Sequence, residues 1–574
     1  MTSHKLVIAE KPSFAMTIGK VLNAWKRQDG YIEGNGYIIS WCVGHLVAPA
    51  PPDAYDDKYR RWDILNLPII PTEWQYDVLK GTSKQFNLLK KLMVRKDVSE
   101  VICATDAGRE GELIFRLVYN AAECNKPFKR LWISSLEERA IKEGFKNLRD
   151  GHEFDNMYHA AIARSKADWL IGMNATRLYS LKNNQTLNIG RVQTPVLNML
   201  VQREEAIETF KPESYYSIEL NCGTFTAVSD KIADKAEAEN IVLRCSGAMA
   251  EVTAAETESK STAPPKLYDL TSLQRDANRI FGYTAKQTLD IAQKLYEKKL
   301  ITYPRTDSRY ITADVADTIT DLFRIAAKNI NVSADFVPDA RRITDGSKVS
   351  DHHALLPTKT AEHTNMSVLS AEEKNIFKLI CRQLVISVAE PYKYDMVKAE
   401  LVCGNTVFRA SGKTVTNIGW KKYMTDEYTE KDIEAALPQM GKGETFGGVK
   451  AELRTHQTTP PKRYTEDTLL SAMENAVKSE NSERNGLGTP ATRAGILENL
   501  VIRGFIERRG KSIVPTDKGR QLIALIPDSL KSAETTAEWE SSLADIANGK
   551  MSEKEFVDEI CGFISGLVTE VRNG

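Results

Sequence analysis

The sequence predicts a multidomain fold in which an N-terminal α/β unit is followed by separate α-rich and β-rich units. Three observations carry this reading. KLVIAEKPS at 5–13 and EVICATDAGREGELIFRL at 100–117 are apolar runs that end in acidic residues, the second passing into a helical pattern, as buried parallel strands do. Two stretches of strand character, YYSIELNCGTFTAVS at 215–229 and YDMVKAELVCGNTVFRASGKTVTNIGW at 394–420, flank a helical stretch. With 574 residues, 42% hydrophobic and 27% charged, the chain has material for several cores.

Taken in order, residues 1 to about 152 alternate strand and helix. YHAAIARSKADWLIGMNATRLYS at 158–180 suits a packed helix through its alanines, Ile162 and Leu170, and Arg164 and Asp168 are spaced to pair on one face. Strand-like runs follow from Tyr215 and end in the linker-like TESKSTAPPK at 257–266. LTSLQRDANRIF at 270–281 sets Leu273, Ala277, Ile280 and Phe281 at helical spacing, and a helix after Thr284 leads to Tyr303. Strand character resumes at Tyr394, so a β unit interrupted by a helical insertion is the simplest organisation. NLVIRGFIERRGKSIVPTDKGRQLIAL at 499–525 reads as helix, basic hairpin, helix.

Composition excludes several classes. No apolar stretch reaches about 18 residues, and MTSHK runs straight into a strand, so an intracellular, cytoplasmic protein with no membrane association is expected. The eight cysteines form no CxxC pair, which argues against structural zinc and a disulfide framework. No GxxxxGK[ST] is present, which argues against ATP use. The 77 basic and 77 acidic residues cancel, so binding to nucleic acid rests on local clusters: Lys294, Lys298, Lys299, Arg305 and Arg309 around Tyr303, and Arg503, Arg508, Arg509, Lys511, Lys518 and Arg520 near the C-terminus. Each cluster also fits an ordinary solvated face.

The run ITYPRTDSRY at 301–310 sets a phenol, Tyr303, two residues from the permanent cation of Arg305. That pair suits attack on a phosphodiester, provided cations or a metal offset a phenol pKa near 10. A packed or stacked tyrosine is the plainer alternative. Glu10 and Asp106 lie where strands end, the edge at which open α/β sheets bind ligands, and with Glu110 they supply oxygen donors for a hard cation such as Mg²⁺. The plainer alternative here is that Asp106 caps a helix whose first turn carries Glu110 and Glu112.

The ordered set IAEKPS, ATDAGREGE, ARSKADWLIGMNATR, NIGRVQTP, ITYPRTDSRY, DHHALLPT and GLGTPATR resembles the type IA DNA topoisomerases, most closely the topoisomerase III branch, over nearly the whole chain. GHLVAPAPPDAYDDKYRRW at 44–62 also looks like the topoisomerase III form. The resemblance implies a toroid: a toprim metal-binding domain at 1–152, a helical base domain at 153–215 and 463–574 with winged-helix-like units, a β-rich arch at 216–265 and 392–462, and a helical domain with the catalytic tyrosine at 266–391. It implies an ATP-independent isomerase that cleaves one strand through a 5′-phosphotyrosyl link, passes a strand and reseals. By motif match Tyr303 is the nucleophile, Arg305 and Lys11 stabilise phosphate charge, and Glu10 protonates the leaving 3′-oxygen. Glu10, Asp106 and Glu110 are the metal set. Arg164, Asp168, Arg191, Gln193, Thr194, His352 and Arg493 are the DNA-holding set. Single-stranded, negatively supercoiled or catenated DNA is the implied partner of a monomer, with a helicase or single-strand-binding protein as the class of protein partner that fits.

One departure stands out. Where the family carries a second aspartate, this chain has Gly108, so one metal ligand is missing. Restoring it by Gly108→Asp is expected to tighten Mg²⁺ binding unless Gly108 holds a backbone conformation that aspartate tolerates poorly. Among rival classes, a tyrosine recombinase is disfavoured because none of the eight histidines is followed three residues later by arginine, and a relaxase because only His352 and His353 are paired. Another phosphotyrosyl strand transferase or a non-enzymatic single-stranded DNA clamp remains the alternative, separated from the topoisomerase reading by a denaturant-trapped covalent adduct.

Overall fold

The structure is a computed structural model that describes residues 3–133, 136–333, 336–349, 352–424, 437–477 and 486–573. The N-terminal unit is a seven-stranded sheet whose centre is parallel: the strand His4–Ala9 lies between Tyr37–Trp41 and Val98–Ala104, and Val98–Ala104 also pairs in parallel with Phe128–Arg130. Leu6, Val7, Ile8 and Ala9 are all buried because helices cover both faces, which is why these strands read as unbroken apolar runs. Glu10 follows directly on His4–Ala9, and Asp106 stands two residues beyond Val98–Ala104. Both carboxylates therefore project from the same sheet edge.

The helix Asp155–Lys182 packs beneath this sheet against the C-terminal helices Ala533–Ala547 and Glu553–Asn573. A second seven-stranded sheet combines strands from 214–262 with strands from 392–457. The linker-like stretch at 257–262 is instead the end of the strand Ala250–Thr262, paired residue by residue with Tyr392–Cys403. Its residues from Thr253 to Glu258 are exposed, so neither face carries the apolar alternation that marks a half-buried strand. Between the two halves, residues 270–387 form a helical body: Leu270–Phe281, Ala285–Glu297, Ile319–Asn329 and Ala371–Ser387. Asp269, Thr284 and Ser370 each cap the following helix with a reciprocal capping box. In the C-terminal part, Pro490–Ile502, a hairpin of Ile506–Arg509 and Ser512–Pro515, and Asp517–Leu525 give the helix, hairpin, helix order. Among the described residues no helix is long and apolar enough to cross a membrane.

Candidate active site

The loop that carries Asp106 is built by close approach and by one buried cation. A Cβ at Gly111 would lie 1.9 Å from the Asp106 carbonyl oxygen, so only glycine lets the helix Arg109–Ala121 start so close to its own strand. Arg130, 1% exposed, donates to the carbonyls of Thr105 at 2.8 Å and Asp106 at 2.7 Å, and is paired with the equally buried Glu112 at 2.5 Å. Glu112 is thus an internal counter-ion instead of surface decoration, and neither residue carries a sequence signal of its function. Gly108, which precedes the helix, has φ +157° and ψ 169°. A side chain in that region costs about 1–3 kcal/mol. Gly108→Asp is therefore expected to lower the thermal midpoint before any gain in metal affinity; a fully stable variant with a lower half-saturating Mg²⁺ concentration would overturn this.

Tyr303 is held on a loop zipped to the segment 352–357: Thr302 N–H donates to Leu356 O at 3.0 Å, and Thr306 Oγ1 donates to His352 O at 2.8 Å. Across 197 residues of sequence, Tyr303 Oη donates to Asp106 Oδ2 at 2.9 Å, and the Asp106 N–H donates to Glu10 Oε2 at 3.1 Å. The phenol, both carboxylates, Arg305 and His352 line one cavity of 310 Å³. Burial, then the charges of Asp106 and Glu10, push the Tyr303 phenol well above its usual range, and Arg305 opposes them only in part. The group that the phenol oxygen contacts is therefore a carboxylate, and Arg305 is the cation that offsets it. Burial, reinforced by the Asp106 charge, also pushes the Glu10 carboxyl up to about 7.

His352 is neutral in this site, because burial holds its imidazole down at about 3. Its Nε2 therefore donates to Ala107 O at 2.5 Å, and its ring lies 4.3 Å from that of Tyr303. Three bonds, Tyr303 to Asp106, His352 to Ala107 and Lys11 to Glu297, join the tyrosine-bearing body to the sheet edge. Among the described residues Arg305 Nε is buried without a hydrogen-bond partner, and Arg305 lines the same cavity as Tyr303. Lys11 does not line this cavity; its Nζ lies 3.5 Å from Glu297 Oε1 and it is 32% exposed.

The three expected metal ligands line one cavity but do not converge on one position. Glu10 and Asp106 adjoin, but Glu110, 60% exposed, is bound to His45 Nε2 at 2.5 Å, a contact that holds its carboxyl below the usual range. Among the described residues no group of three or more His, Cys, Asp or Glu converges on a metal position. Two adjacent carboxylates, one of them raised by burial and then by the charge of the other, still fit a hard cation that would take its remaining ligands from water and phosphate.

The DNA-holding set divides between several places. Arg164, Asp168, Arg191 and Gln193 line a groove of 820 Å³ that adjoins the tyrosine cavity. Arg164 and Asp168 do not pair with each other: Asp168 accepts from Arg191 Nε at 2.8 Å, and Arg164 lies 3.6 Å from Glu540. Glu540 also meets Arg191 at 2.8 Å, and although burial alone would raise it, these guanidiniums hold its carboxyl at about 2. Its partners, Arg164 on a helix and Arg191 on a turn, are far away in sequence, so spacing carries no signal for it. Thr194 is buried and accepts from Gly190 N–H at 3.1 Å, a role inside the fold. Arg493 is buried too and opens on a third cavity instead of the groove. Much of the C-terminal basic cluster is engaged internally: Arg508 pairs with Glu466 and Glu498, and Arg520 with Glu208. Arg503 alone of that cluster lines the groove.

The family model for the Toprim domain matches residues 5–136, and the one described as DNA topoisomerase matches residues 152–558. DNA topoisomerase 3 of Bacillus cereus (strain ATCC 14579) is 42% identical over 603 aligned residues, covering 100% of this chain and 82% of that protein. DNA topoisomerase 3 of Bacillus subtilis (strain 168) is 40% identical over 601, with the same coverage. Full-length topoisomerase I from Thermotoga maritima superposes with a TM-score of 0.75 at 25% identity, covering 98% of this chain and 90% of that one. With a phenol on a carboxylate at a toprim sheet edge and relatives matched along its entire length, the chain belongs to the type IA DNA topoisomerases, in the topoisomerase 3 group, isomerases that cleave one DNA strand, pass another through the gap and reseal it.

Proposed function

We propose that Tyr303 Oη attacks a backbone phosphate of single-stranded DNA, leaving a 5′-phosphotyrosyl link and a free 3′-hydroxyl. The observation that carries this is the 2.9 Å hydrogen bond from Tyr303 to Asp106 inside a cavity shared with Glu10 and Arg305. Asp106 is the group in contact with the phenol proton and accepts it as the new P–O bond forms. Arg305 stabilises charge on the phosphate, and Lys11 swings in from Glu297 to do the same. Glu10, poised near neutrality, delivers a proton to the leaving 3′-oxygen and takes it back on resealing. The phosphodiester is exchanged for another ester, so the cycle needs no ATP.

Glu10 and Asp106 would hold Mg²⁺, which when bound supplies positive charge to the phosphate oxygens and relieves the repulsion between the two carboxylates. Arg164 and Gln193 grip the strand in the groove, with the buried Arg191, held by Asp168 and Glu540, supporting its wall. The domains divide as the family resemblance implies, 1–152, 153–215 with 463–574, 216–265 with 392–462, and 266–391, with the last swinging away when its contacts to the sheet edge and to residues 463–574 break. The protein acts as a cytoplasmic monomer on underwound or catenated DNA, without structural zinc. Mixing it with an end-labelled single-stranded oligonucleotide and quenching in denaturant tests the reading: protein linked to the fragment 3′ of the break is expected, and linkage to the other fragment, or none, rejects it.

A pH dependence is expected from Glu10. Its carboxyl rises from 4.5 unfolded to about 7 folded, so between these values the folded state holds the extra proton and stability falls as pH rises. The shift corresponds to about 3 kcal/mol, an order-of-magnitude figure for a group coupled to Asp106. In chelator-treated protein, the difference in unfolding free energy between wild type and Glu10→Gln is expected to change across pH 4.5 to 7 and then level off. A flat difference would mean that Glu10 is ionised throughout.

A further inference from the structure

We propose that the third cavity, on the far side of Tyr303 from the groove, binds the segment of the cleaved strand 3′ to the scissile phosphate, the segment that remains attached to the tyrosine. This rests on the phosphotyrosyl reading above. The tyrosine cavity shares Arg164, Glu110 and Thr492 with the groove, and it shares Arg109, Asp307, Thr489 and Pro490 with the third cavity, of 600 Å³. The three form one trough with Tyr303 near its middle.

Two cations of the far cavity form no close ion pair among the described residues, although Glu474, Asp269 and Glu540 act on Arg493, and Arg109 on Glu540, from further away. Arg493 is 5% exposed, yet its Nε donates only to Leu487 O at 3.2 Å and its Nη1 to Thr271 Oγ1 at 3.0 Å, both neutral acceptors. A buried guanidinium held this way is costly unless an anion arrives. A Cβ at residue 486 would come within 2.8 Å of Arg493 Nη2, so Gly486 keeps the approach to that nitrogen open. Arg109 stands in the first turn of a helix, where the dipole disfavours a cation, and among the described residues its side chain makes no hydrogen bond or ion pair. At the outer lip, Lys266 and Lys348 lie 4.1 and 4.9 Å from the centre of the Tyr310 ring. Aromatic faces beside cations suit a single strand of nucleic acid, whose bases stack while its phosphates pair.

The acidic residues of this cavity do not oppose such a ligand uniformly. Asp269 is committed to capping Ser272 and Glu540 to Arg191, while Asp307 and Glu474 also face the space and Lys348 is drawn to Asp345 at 3.1 Å. Chemistry assigns the polarity. After cleavage the 3′-hydroxyl end is held by non-covalent contacts alone, so it requires the larger groove with more gripping side chains. The other end is tethered by Tyr303 itself and needs only guidance.

The test compares the full chain with Lys266→Gln/Lys348→Gln, two exposed positions outside the catalytic groups. Single-stranded oligonucleotides share one cleavage position and extend either about eight or about two nucleotides on its 3′ side. For wild type, the longer 3′ side is expected to lower the half-saturating concentration for adduct formation about ten-fold, and the salt dependence of that gain marks it as phosphate contact. The variant is expected to lose most of the gain while matching wild type on the short substrate. A variant that equals wild type on both, that is equally impaired on both, or whose deficit follows the 5′ length overturns the assignment. Wild type that forms no adduct on any substrate overturns the tyrosine reading itself.

Discussion

Tyr303→Phe is expected to abolish the covalent adduct and strand relaxation while leaving single-stranded DNA binding intact. The substitution removes one oxygen, and that oxygen is the proposed nucleophile; losing a nucleophile from a cooperating set costs on the order of 10⁴-fold or more in rate. The ring itself is retained against Tyr296 and His352, with centroids at 5.3 and 4.3 Å, so the loop keeps its packing. The structural cost is confined to Asp106 Oδ2, which loses its 2.9 Å donor, a change of about 1–2 kcal/mol at a partly buried site. That bond also ties the tyrosine-bearing body to the toprim sheet edge, so the variant is expected to admit DNA at least as readily as wild type. Binding measured by fluorescence anisotropy and adduct measured after denaturant quench separate the two effects. Undiminished adduct in the variant would assign the chemistry to another residue.

Lys11→Ala carries the second largest expected effect, a slowing of cleavage by roughly 10²–10³ with little loss of binding, the usual scale for one preorganised donor to a developing charge. In the closed structure the lysine rests against Glu297 at 3.5 Å, outside the tyrosine cavity, although its charge acts on neighbouring Glu10. Its contribution must then appear only once phosphate is present, after the side chain has left Glu297. Single-turnover cleavage on saturating oligonucleotide, set beside equilibrium binding, decides the matter. Equal losses in both would make Lys11 an anchor for DNA instead of a group that acts in the transition state.

Several features are legible in the amino-acid sequence because they are local. Val7, Ile8 and Ala9 and their counterparts in Val98–Ala104 are unbroken apolar runs, and a strand buried on both faces has little alternative to that pattern. Glu10 and Asp106 stand at the ends of those runs, so their place at a ligand-binding edge follows. The capping residues Asp269, Thr284 and Ser370 likewise announce their helices. The stretch 257–262 resembles a linker in sequence because a ribbon solvated on both faces carries no hydrophobic period.

Residue type, order and spacing alone therefore determined the α/β start, the helical insertion between two β segments, the tyrosine beside its arginine and the family motifs. Tertiary structure alone decided which charge meets which: Tyr303 on Asp106, Glu110 on His45, Arg164 and Arg191 on Glu540, and Arg130 beneath the Asp106 loop. Helical spacing makes an Arg164–Asp168 pair plausible, yet both turn to partners on other elements. A charge on a helix surface gains only a few tenths of a kcal/mol from a neighbour one turn away, whereas a buried charge without a counter-ion bears its full desolvation cost. Long-range pairing wins at buried positions for that reason, and it is the one property that no local window of this sequence contains.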